Sequence, residues 1–143
     1  MSYEFKAVRR VEFSETDMAG IMHYSNYFRF METSEHAFFR SLGTSIMDGT
    51  VGWPRVHAEC DFKMPLRFED EVEIHLLVSE KKSKSLSYLF KFRKLNATPP
   101  VEVARGSLTV VCVTMGAAGK MTASPIPKTI GDQIQVAPAA MLA

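Results

Sequence analysis

The chain has 143 residues, 46% of them hydrophobic and 23% charged, which is enough for one globular domain with a sizeable core. A net charge of +1 gives no reason to expect nucleic acid or an anionic membrane as the main partner. No apolar run is long enough to cross a bilayer, and the first ten residues lack the apolar core of a signal peptide, so we expect a cytoplasmic protein. Cys60 and Cys112 each lie in an apolar, strand-like run, which predicts buried thiols rather than a disulfide.

The pattern of apolar residues predicts one strand, one long helix and four further strands, in that order. Residues 4–13 are the first strand, because their apolar residues share one parity: Phe5, Ala7, Val11 and Phe13. Alternation predicts three half-buried strands at residues 56–64, 72–78 and 86–92, and a fourth follows at 101–114. Gly106 in this last strand indicates a bulge or a point of close approach.

The helix is predicted at residues 27–42, where apolar residues recur at helical spacing. Ser25 or Asn26 has the side chain to cap its N-terminus. Gly43 is placed to end it. A short helical turn is expected within residues 44–50.

This order of elements predicts an α+β fold. One helix can cover only one face of a sheet, so the simplest arrangement is a five-stranded antiparallel sheet wrapped around one long central helix. We assign residues 1–115 to this domain. Residues 116–143 are rich in Gly, Ala and Pro, and we expect a tail that is loosely ordered or packs on the domain surface, with one turn near 130–134.

The most informative stretch is FSETDMAGIMHYSNYFRFME, at residues 13–32. It places Asp17, which we expect to be buried, before a turn at Ala19-Gly20 and close to the start of the helix. A carboxylate beside free N–H groups at a helix N-terminus suits acyl chemistry, because those donors can hold a developing oxyanion. From the residues alone, an aspartate that caps its own turn is the favoured interpretation.

The segment ETDMAGIMHYSNYFRFME resembles the signature of the hotdog-fold thioesterases of the 4-hydroxybenzoyl-CoA thioesterase type. That signature is a strand, then D-x-x-G, two apolar residues, two aromatic or His positions, x-N-Y, and a helix. The order of elements extends the resemblance over residues 5–113. It implies a hotdog fold and hydrolysis of an acyl-CoA without metal or cofactor, with coenzyme A as part of the substrate. It also implies sheets paired edge to edge in dimers, which assemble into tetramers; such pairing would remove an exposed sheet edge.

The same resemblance assigns roles to individual residues. Asp17 would be the general base or the nucleophile, and the backbone amide of Tyr24 would polarise the thioester carbonyl. The side chain of His23 would line the acyl pocket or simply pack. Asn26 would hold the helix start in place. Basic residues in the turn after the third strand, Lys82 and Lys84, would grip the phosphates of coenzyme A or else form a solvated hairpin tip.

Three further residues have two interpretations each. Trp53 would form the floor of the acyl pocket or pack in the core. A second hotdog subfamily places its acid on the long helix, which makes Glu32 and Glu35 the alternative acids. While Asp17 is present, solvated or interface carboxylates are the favoured interpretation of both glutamates.

The leading hypothesis is therefore an acyl-CoA thioesterase. The alternatives are a thioesterase acting on acyl carrier protein and a non-catalytic acyl-CoA-binding hotdog protein, since fold alone does not establish function. Asp17 favours the enzyme, because a binding module has no need of a carboxylate facing the carbonyl. The histidines show no metal-ligand spacing, and the chain has no nucleophile elbow or Walker loop.

Overall fold

The computed structural model describes residues 1–47 and 49–143. The main elements are strand β1 (Glu4–Arg10), helix α1 (Ser25–Ser41) and strands β2 (Arg55–Phe62), β3 (Glu71–Lys81), β4 (Ser85–Lys94) and β5 (Val101–Val111). The five strands form one antiparallel sheet in the order β1-β3-β4-β5-β2, and α1 packs on one face. A hairpin of β6 (Val113–Met115) and β7 (Met121–Ala123) and a short helix α2 (Lys128–Gly131) follow. The predicted α+β fold is confirmed.

The core lies between α1 and the sheet. Every second side chain of β3 and β4 points to this core and is fully buried, as the alternation predicts: Val72, Ile74, Leu76, Val78, Leu86, Tyr88, Phe90 and Phe92. From α1, the buried side chains of Tyr27, Phe30, Met31 and Phe38 meet them. Burying each large apolar side chain stabilises the fold by about 1.5–3 kcal/mol, so the helix is firmly docked. None of the helices in the described part of the chain is both long and apolar enough to cross a membrane.

The first strand is shorter than predicted. Strand β1 ends at Arg10, and Val11 is bound to the loop before β3. The N–H of Val11 donates to the carbonyl of Asp70, and the N–H of Glu69 donates to the carbonyl of Val11. A single 3-10 turn at Phe13–Glu15 follows. The side chain of Phe13 is 74% exposed, so its predicted place on the buried face is wrong.

Helix α1 begins two residues before the predicted start. Tyr24 is the N-cap residue, so neither Ser25 nor Asn26 caps the helix in the way expected. Gly43 ends the helix region with a φ of +79°, a left-handed conformation in which glycine is favoured, as predicted. The helical turn predicted within 44–50 is not seen at residues 44–47, which form only a turn, and Asp48 lies outside the described residues.

Strand β2 departs most from its predicted burial. It forms an edge of the sheet and pairs only with β5 among the described strands. Val56 is 61% exposed, and Phe62 and Met64 are about half exposed, so the apolar face predicted for this strand is not covered within one chain. The alternation correctly predicts a strand but not what lies against it.

Residues 116–143 pack against the domain. The ammonium group of Lys81 donates hydrogen bonds to the carbonyls of Gly131 and Ile134, at 2.5 and 2.9 Å. The N–H of Ala137 donates to the carbonyl of Val78 at the end of β3. Ile130 and Ile134 are buried, so this segment extends the core beyond the end of the main sheet.

Gly106 is a point of close approach between α1 and the sheet. A Cβ at this position would lie 3.1 Å from Met31 Sδ, nearer still to Met31 Cε, and 3.2 Å from the carbonyl oxygen of Glu59. The predicted close approach is therefore confirmed, and the register of β5 is regular at Gly106.

We expect Gly106→Ala to lower the free energy of unfolding by about 1–3 kcal/mol, because the added methyl group overpacks the interface between α1 and β5. Urea unfolding of the single variant, of Met31→Ala and of the double variant would measure the coupling. The double variant should be more stable than the sum of the two single effects predicts. Additive effects would show that Met31 is not what excludes a side chain at position 106.

Candidate active site

A groove of about 380 Å³ opens where the loop after β1, the start of α1 and the end of β2 meet. Its lining consists of Asp17, Ile21, Met22, Tyr24, Tyr27 and residues 62–65. Most of these side chains are apolar or aromatic, and its volume lies in the range of small-molecule sites. The structure therefore brings Asp17 and Tyr24 into one pocket.

Asp17 sits in a tight turn that its own carboxylate stabilises. The N–H of Ala19 donates to Asp17 Oδ1 at 2.8 Å, and the N–H of Gly20 donates to the Asp17 carbonyl at 2.9 Å. Gly20 has a φ of +81°, which explains the glycine. The carboxylate is exposed at the pocket and not buried, which corrects our expectation. Because a carboxylate has two oxygens, Oδ1 can cap the turn while Oδ2 is available to a ligand.

The backbone N–H of Tyr24 is the donor nearest the start of α1. Within the described residues it has no hydrogen-bond acceptor, whereas the N–H groups of Met22 and His23 are occupied by the carbonyls of Leu66 and Glu15. Helix α1 has 17 residues, so its N-terminus carries the positive end of a substantial dipole. This position can therefore bind a negatively charged oxygen.

His23 and Asn26 lie beside the pocket rather than in its lining. The Nδ1 atom of His23 accepts a hydrogen bond from the N–H of Ser25 at 3.2 Å, and the imidazole stacks on the Tyr24 ring at 4.6 Å. The amide of Asn26 donates to the carbonyl of Glu15 at 2.9 Å, and its oxygen accepts from Arg29. Both side chains fix the start of the helix.

The other predicted site residues lie elsewhere in the protomer. Trp53 is buried in the core, edge-on to Phe39 with 5.6 Å between ring centroids. Lys82 and Lys84 are exposed in the β3–β4 turn, and Lys82 pairs with Glu80 at 3.5 Å. This turn lies at the opposite end of the 11-residue strand β3, about 35 Å away at ~3.3 Å per residue. One protomer alone does not bring these lysines to Asp17.

Sequence reasoning missed the wall of the pocket formed by Tyr27 and by residues 62–65. Helical spacing marked Tyr27 only as a core residue, and alternation marked Phe62 and Met64 only as one face of a strand. Neither pattern shows that a helix start and a strand end will meet. The basic residue of this wall, Lys63, forms an ion pair with Glu102.

Glu35 is fully buried, which corrects the interpretation of a solvated or interface carboxylate. Its Oε1 atom accepts a hydrogen bond from Arg55 at 2.5 Å. Burial raises the pKa of Glu35, and this outweighs the opposing effects of the Arg55 guanidinium and the Tyr88 hydroxyl. Helical spacing in the sequence indicates this burial, since Glu35 lies four residues after Met31 and three before Phe38 on one helix face. Glu35 does not line the Asp17 pocket, and Glu32 is exposed near Arg55.

Asp70 stabilises the loop of residues 66–70, which contacts the segment that lines the pocket. Its Oδ2 accepts from the N–H of Arg67 at 2.7 Å and its Oδ1 accepts from the amide of Asn96 at 2.9 Å, with Lys94 3.5 Å away. Burial alone would raise the pKa of Asp70, but the hydrogen bonds from Asn96 and Arg67 and the charge of Lys94 together lower it. In the same loop, the carbonyl of Leu66 accepts a hydrogen bond from the N–H of Met22.

Among residues 1–47 and 49–143, no group of three or more His, Cys, Asp or Glu side chains is placed to hold a metal ion. Within the described residues, the candidate site combines the Asp17 carboxylate, a Tyr24 N–H without an acceptor and a wall that is apolar apart from Lys63. These groups suit attack on an activated carbonyl, since the N–H can stabilise an oxyanion and the carboxylate can act as base or nucleophile.

The chain is similar to known thioesterases. The family model of the thioesterase-like superfamily matches residues 11–134. Over 99 residues the chain is 33% identical to a 1,4-dihydroxy-2-naphthoyl-CoA hydrolase of Prochlorococcus marinus (strain NATL1A), covering 60% of this chain and 65% of the relative. Over 83 residues it is 29% identical to the 4-hydroxybenzoyl-CoA thioesterase of Pseudomonas sp. (strain CBS-3), covering 54% and 59%. The alignments thus span less than two thirds of the length of these curated relatives.

Solved structures match over more of their length. A gentisyl-coenzyme A thioesterase is 33% identical, with a TM-score of 0.77 over 89% of this chain and 99% of that chain. The Pseudomonas 4-hydroxybenzoyl-CoA thioesterase has a TM-score of 0.82 at 21% identity, over 92% of this chain and 99% of that chain. The hotdog fold implied by the sequence is confirmed.

We expect Asp70→Asn to lower the free energy of unfolding by about 1–3 kcal/mol at pH 7, because an amide can replace only one of the two acceptor oxygens of Asp70. The folded-state pKa of Asp70 lies below its unfolded value of about 3.9, so its contribution is complete above that pH and is lost as the pH falls through the lowered pKa. Urea unfolding at several pH values should show the difference between variant and wild type shrinking below about pH 4.

The exposed residue Asp132 provides the control, because Asp132→Asn should change stability little. A difference for Asp70→Asn that stayed constant down to pH 2 would contradict the assigned hydrogen bonds.

Proposed function

The chain belongs to the thioesterase-like superfamily, and we propose that it is an acyl-CoA thioesterase, which hydrolyses a thioester to a carboxylic acid and coenzyme A. The observation that supports this proposal is the pocket that Asp17 and Tyr24 line together, with a Tyr24 N–H that has no acceptor among the described residues. The reaction uses no cofactor, since coenzyme A is part of the substrate.

In the proposed mechanism the thioester carbonyl oxygen lies on the Tyr24 N–H, at the positive end of α1. Asp17 then either removes a proton from the attacking water or attacks the carbonyl carbon itself. In the first route the water oxygen adds to the carbonyl carbon and the C–S bond breaks. In the second route Asp17 displaces the sulfur and forms a mixed anhydride, which water then hydrolyses to release the acid and restore the Asp17 carboxylate. In both routes the sulfur leaves as a thiolate that takes up a proton to give the coenzyme A thiol. Removing one such oxyanion donor typically costs about 3–4 kcal/mol of transition-state stabilisation.

We propose a hydroxylated aromatic acyl group as the preferred substrate. The relatives are named for gentisyl, 1,4-dihydroxy-2-naphthoyl and 4-hydroxybenzoyl thioesters. In this chain the pocket wall offers the rings of Tyr24, Tyr27 and Phe62, which suit a planar aromatic group.

We further propose that two copies pair through their β2 strands, as a dimer or as the unit of a tetramer. The edge formed by β2 exposes apolar side chains, whereas the β1 edge carries Lys6, Arg9 and Arg10, which discourage pairing. An antiparallel pair related by a two-fold axis places the Phe62 end of one β2 beside the Arg55 end of the other.

This pairing also gives the β3–β4 turn a role. The Arg55 end of β2 lies at the same end of the sheet as that turn, because β2 pairs with β5 and β5 with β4. Lys82 and Lys84 of one copy would therefore approach the Asp17 pocket of the other, where they would bind the phosphates of coenzyme A.

We expect Asp17→Asn to reduce kcat by about a hundredfold or more, because the amide keeps the turn-capping oxygen but can neither accept a proton nor attack. Release of free thiol from benzoyl-, 4-hydroxybenzoyl-, hexanoyl- and palmitoyl-CoA would measure this. Asp132→Asn, at an exposed aspartate of the C-terminal segment, is the control and should keep wild-type turnover.

Activity that survives Asp17→Asn would contradict the role of Asp17. A wild type that binds acyl-CoA without hydrolysing any ester would instead be a binding protein. Hydrolysis confined to acyl carrier protein esters would identify the other thiol donor.

We expect Val56→Lys to shift the protein from dimer or tetramer towards monomer in sedimentation velocity, because it replaces an exposed apolar side chain of the β2 edge with a charged one. Val8→Lys is the matched control, since Val8 is 59% exposed on the other edge strand. A wild type that sediments as a monomer, or equal effects of the two substitutions, would refute pairing through β2.

A further inference from the structure

The proposed mechanism assigns no role to the hydroxyl group of Tyr27. Tyr27 is only 3% exposed and lines the same pocket as Asp17. In the part of the chain that the structure describes, its hydroxyl has no hydrogen-bond partner. It is nevertheless not sealed in the core, in contrast to the hydroxyl of Tyr88.

The Tyr27 ring is held firmly. The ring of Phe62 contacts it edge-on at 4.9 Å and an interplanar angle of 72°, and the ring of Phe92 does so at 5.3 Å and 69°. Phe92 belongs to the fully buried layer of β4, so this contact anchors Tyr27 to the sheet. A hydroxyl on such a ring has a fixed position, which is what specific hydrogen bonding requires.

The surroundings of Tyr27 are mostly apolar, and Asp17 and Lys63 are the charged residues that line the same pocket. Burial, with a smaller effect of Cys60, raises the pKa of Tyr27 to about 12, and burial also raises the pKa of the Cys60 thiol to about 12. Tyr27 therefore remains a protonated hydrogen-bond donor throughout the neutral range. The ammonium of Lys63, the cation in the pocket wall, is paired with Glu102.

A mostly apolar wall in which a held hydroxyl has no partner among the described residues matches an aromatic ligand that carries a neutral polar substituent. We propose that the Tyr27 hydroxyl hydrogen-bonds to a ring hydroxyl of the acyl group and so determines the preference for phenolic over unsubstituted aromatic thioesters. This inference rests on the proposed function and deepens it. Tyr27 contacts the substituent and not the reacting carbonyl, so it affects selection among substrates rather than the chemical step.

The test compares kcat/KM for 2-, 3- and 4-hydroxybenzoyl-CoA with that for benzoyl-CoA. We expect Tyr27→Phe to lower kcat/KM about tenfold for the preferred hydroxylated ester, because one hydrogen bond is lost, and to change the benzoyl value less than twofold. Tyr88→Phe is the matched control, since it removes a hydroxyl that is sealed away from the pocket, and it should leave the ratio unchanged.

Binding provides a second readout that does not depend on turnover. In the Asp17→Asn background, calorimetry with 4-hydroxybenzoyl-CoA and benzoyl-CoA should show the same loss of discrimination when Tyr27→Phe is added. Urea unfolding of Tyr27→Phe establishes that the variant folds.

Three results would overturn the inference: a wild type that does not discriminate between the esters, equal losses on both esters in Tyr27→Phe, or an unchanged ratio in that variant. Failure of the proposed function looks different. In that case no ester is hydrolysed by the wild type, while the binding measurement still reports whether Tyr27 recognises the hydroxyl group.

Discussion

The carbonyl oxygen of Glu15 accepts two hydrogen bonds, and the geometry of the pocket depends on them. One comes from the N–H of His23 at 2.8 Å and the other from the side chain of Asn26 at 2.9 Å. Together they tie the chain before Asp17 to the first turn of α1. The loop between these two points is thereby closed, so Asp17 and the Tyr24 N–H have a fixed separation although both lie on the surface. Preorganisation of this kind is what makes a donor effective at a developing charge, because little reorganisation remains for the reaction.

The same arrangement bears on the role that we propose for an exposed aspartate. Asp17 Oδ1 caps the turn, and under the proposed mechanism Oδ2 would act on the substrate, so the residue would be structural and chemical at once. The two interpretations that the sequence left open are therefore not exclusive. The loop stabilised by Asp70 binds the segment after this turn, because the carbonyl of Leu66 accepts a hydrogen bond from the N–H of Met22.

Where the sequence predicted well, each side chain is covered by its own chain. The alternation in β3 and β4 and the periodicity of α1 correctly identified buried residues such as Ile74, Phe90 and Phe30, because the sheet and the helix cover one another. The same patterns failed at Phe13 and Val56, since periodicity marks apolar residues but does not say what lies against them. The presence of Asp17 and Tyr24 in one pocket was foreseeable, because they lie seven residues apart around a glycine turn. The wall formed by Tyr27 and Phe62 was not, since it depends on a contact between elements far apart in the chain.

The placement of the pocket wall on an edge strand has a thermodynamic consequence. Phe62 and Met64 line the groove beside Asp17 and also belong to the half-exposed apolar edge of the sheet. Under the proposed pairing, ligand binding and subunit association would bury neighbouring parts of one surface. The two equilibria are then linked, and by reciprocity any ligand that binds the dimer more tightly must strengthen association by the same factor. In such a protein, dilution and loss of ligand would both shift the association equilibrium towards separate subunits.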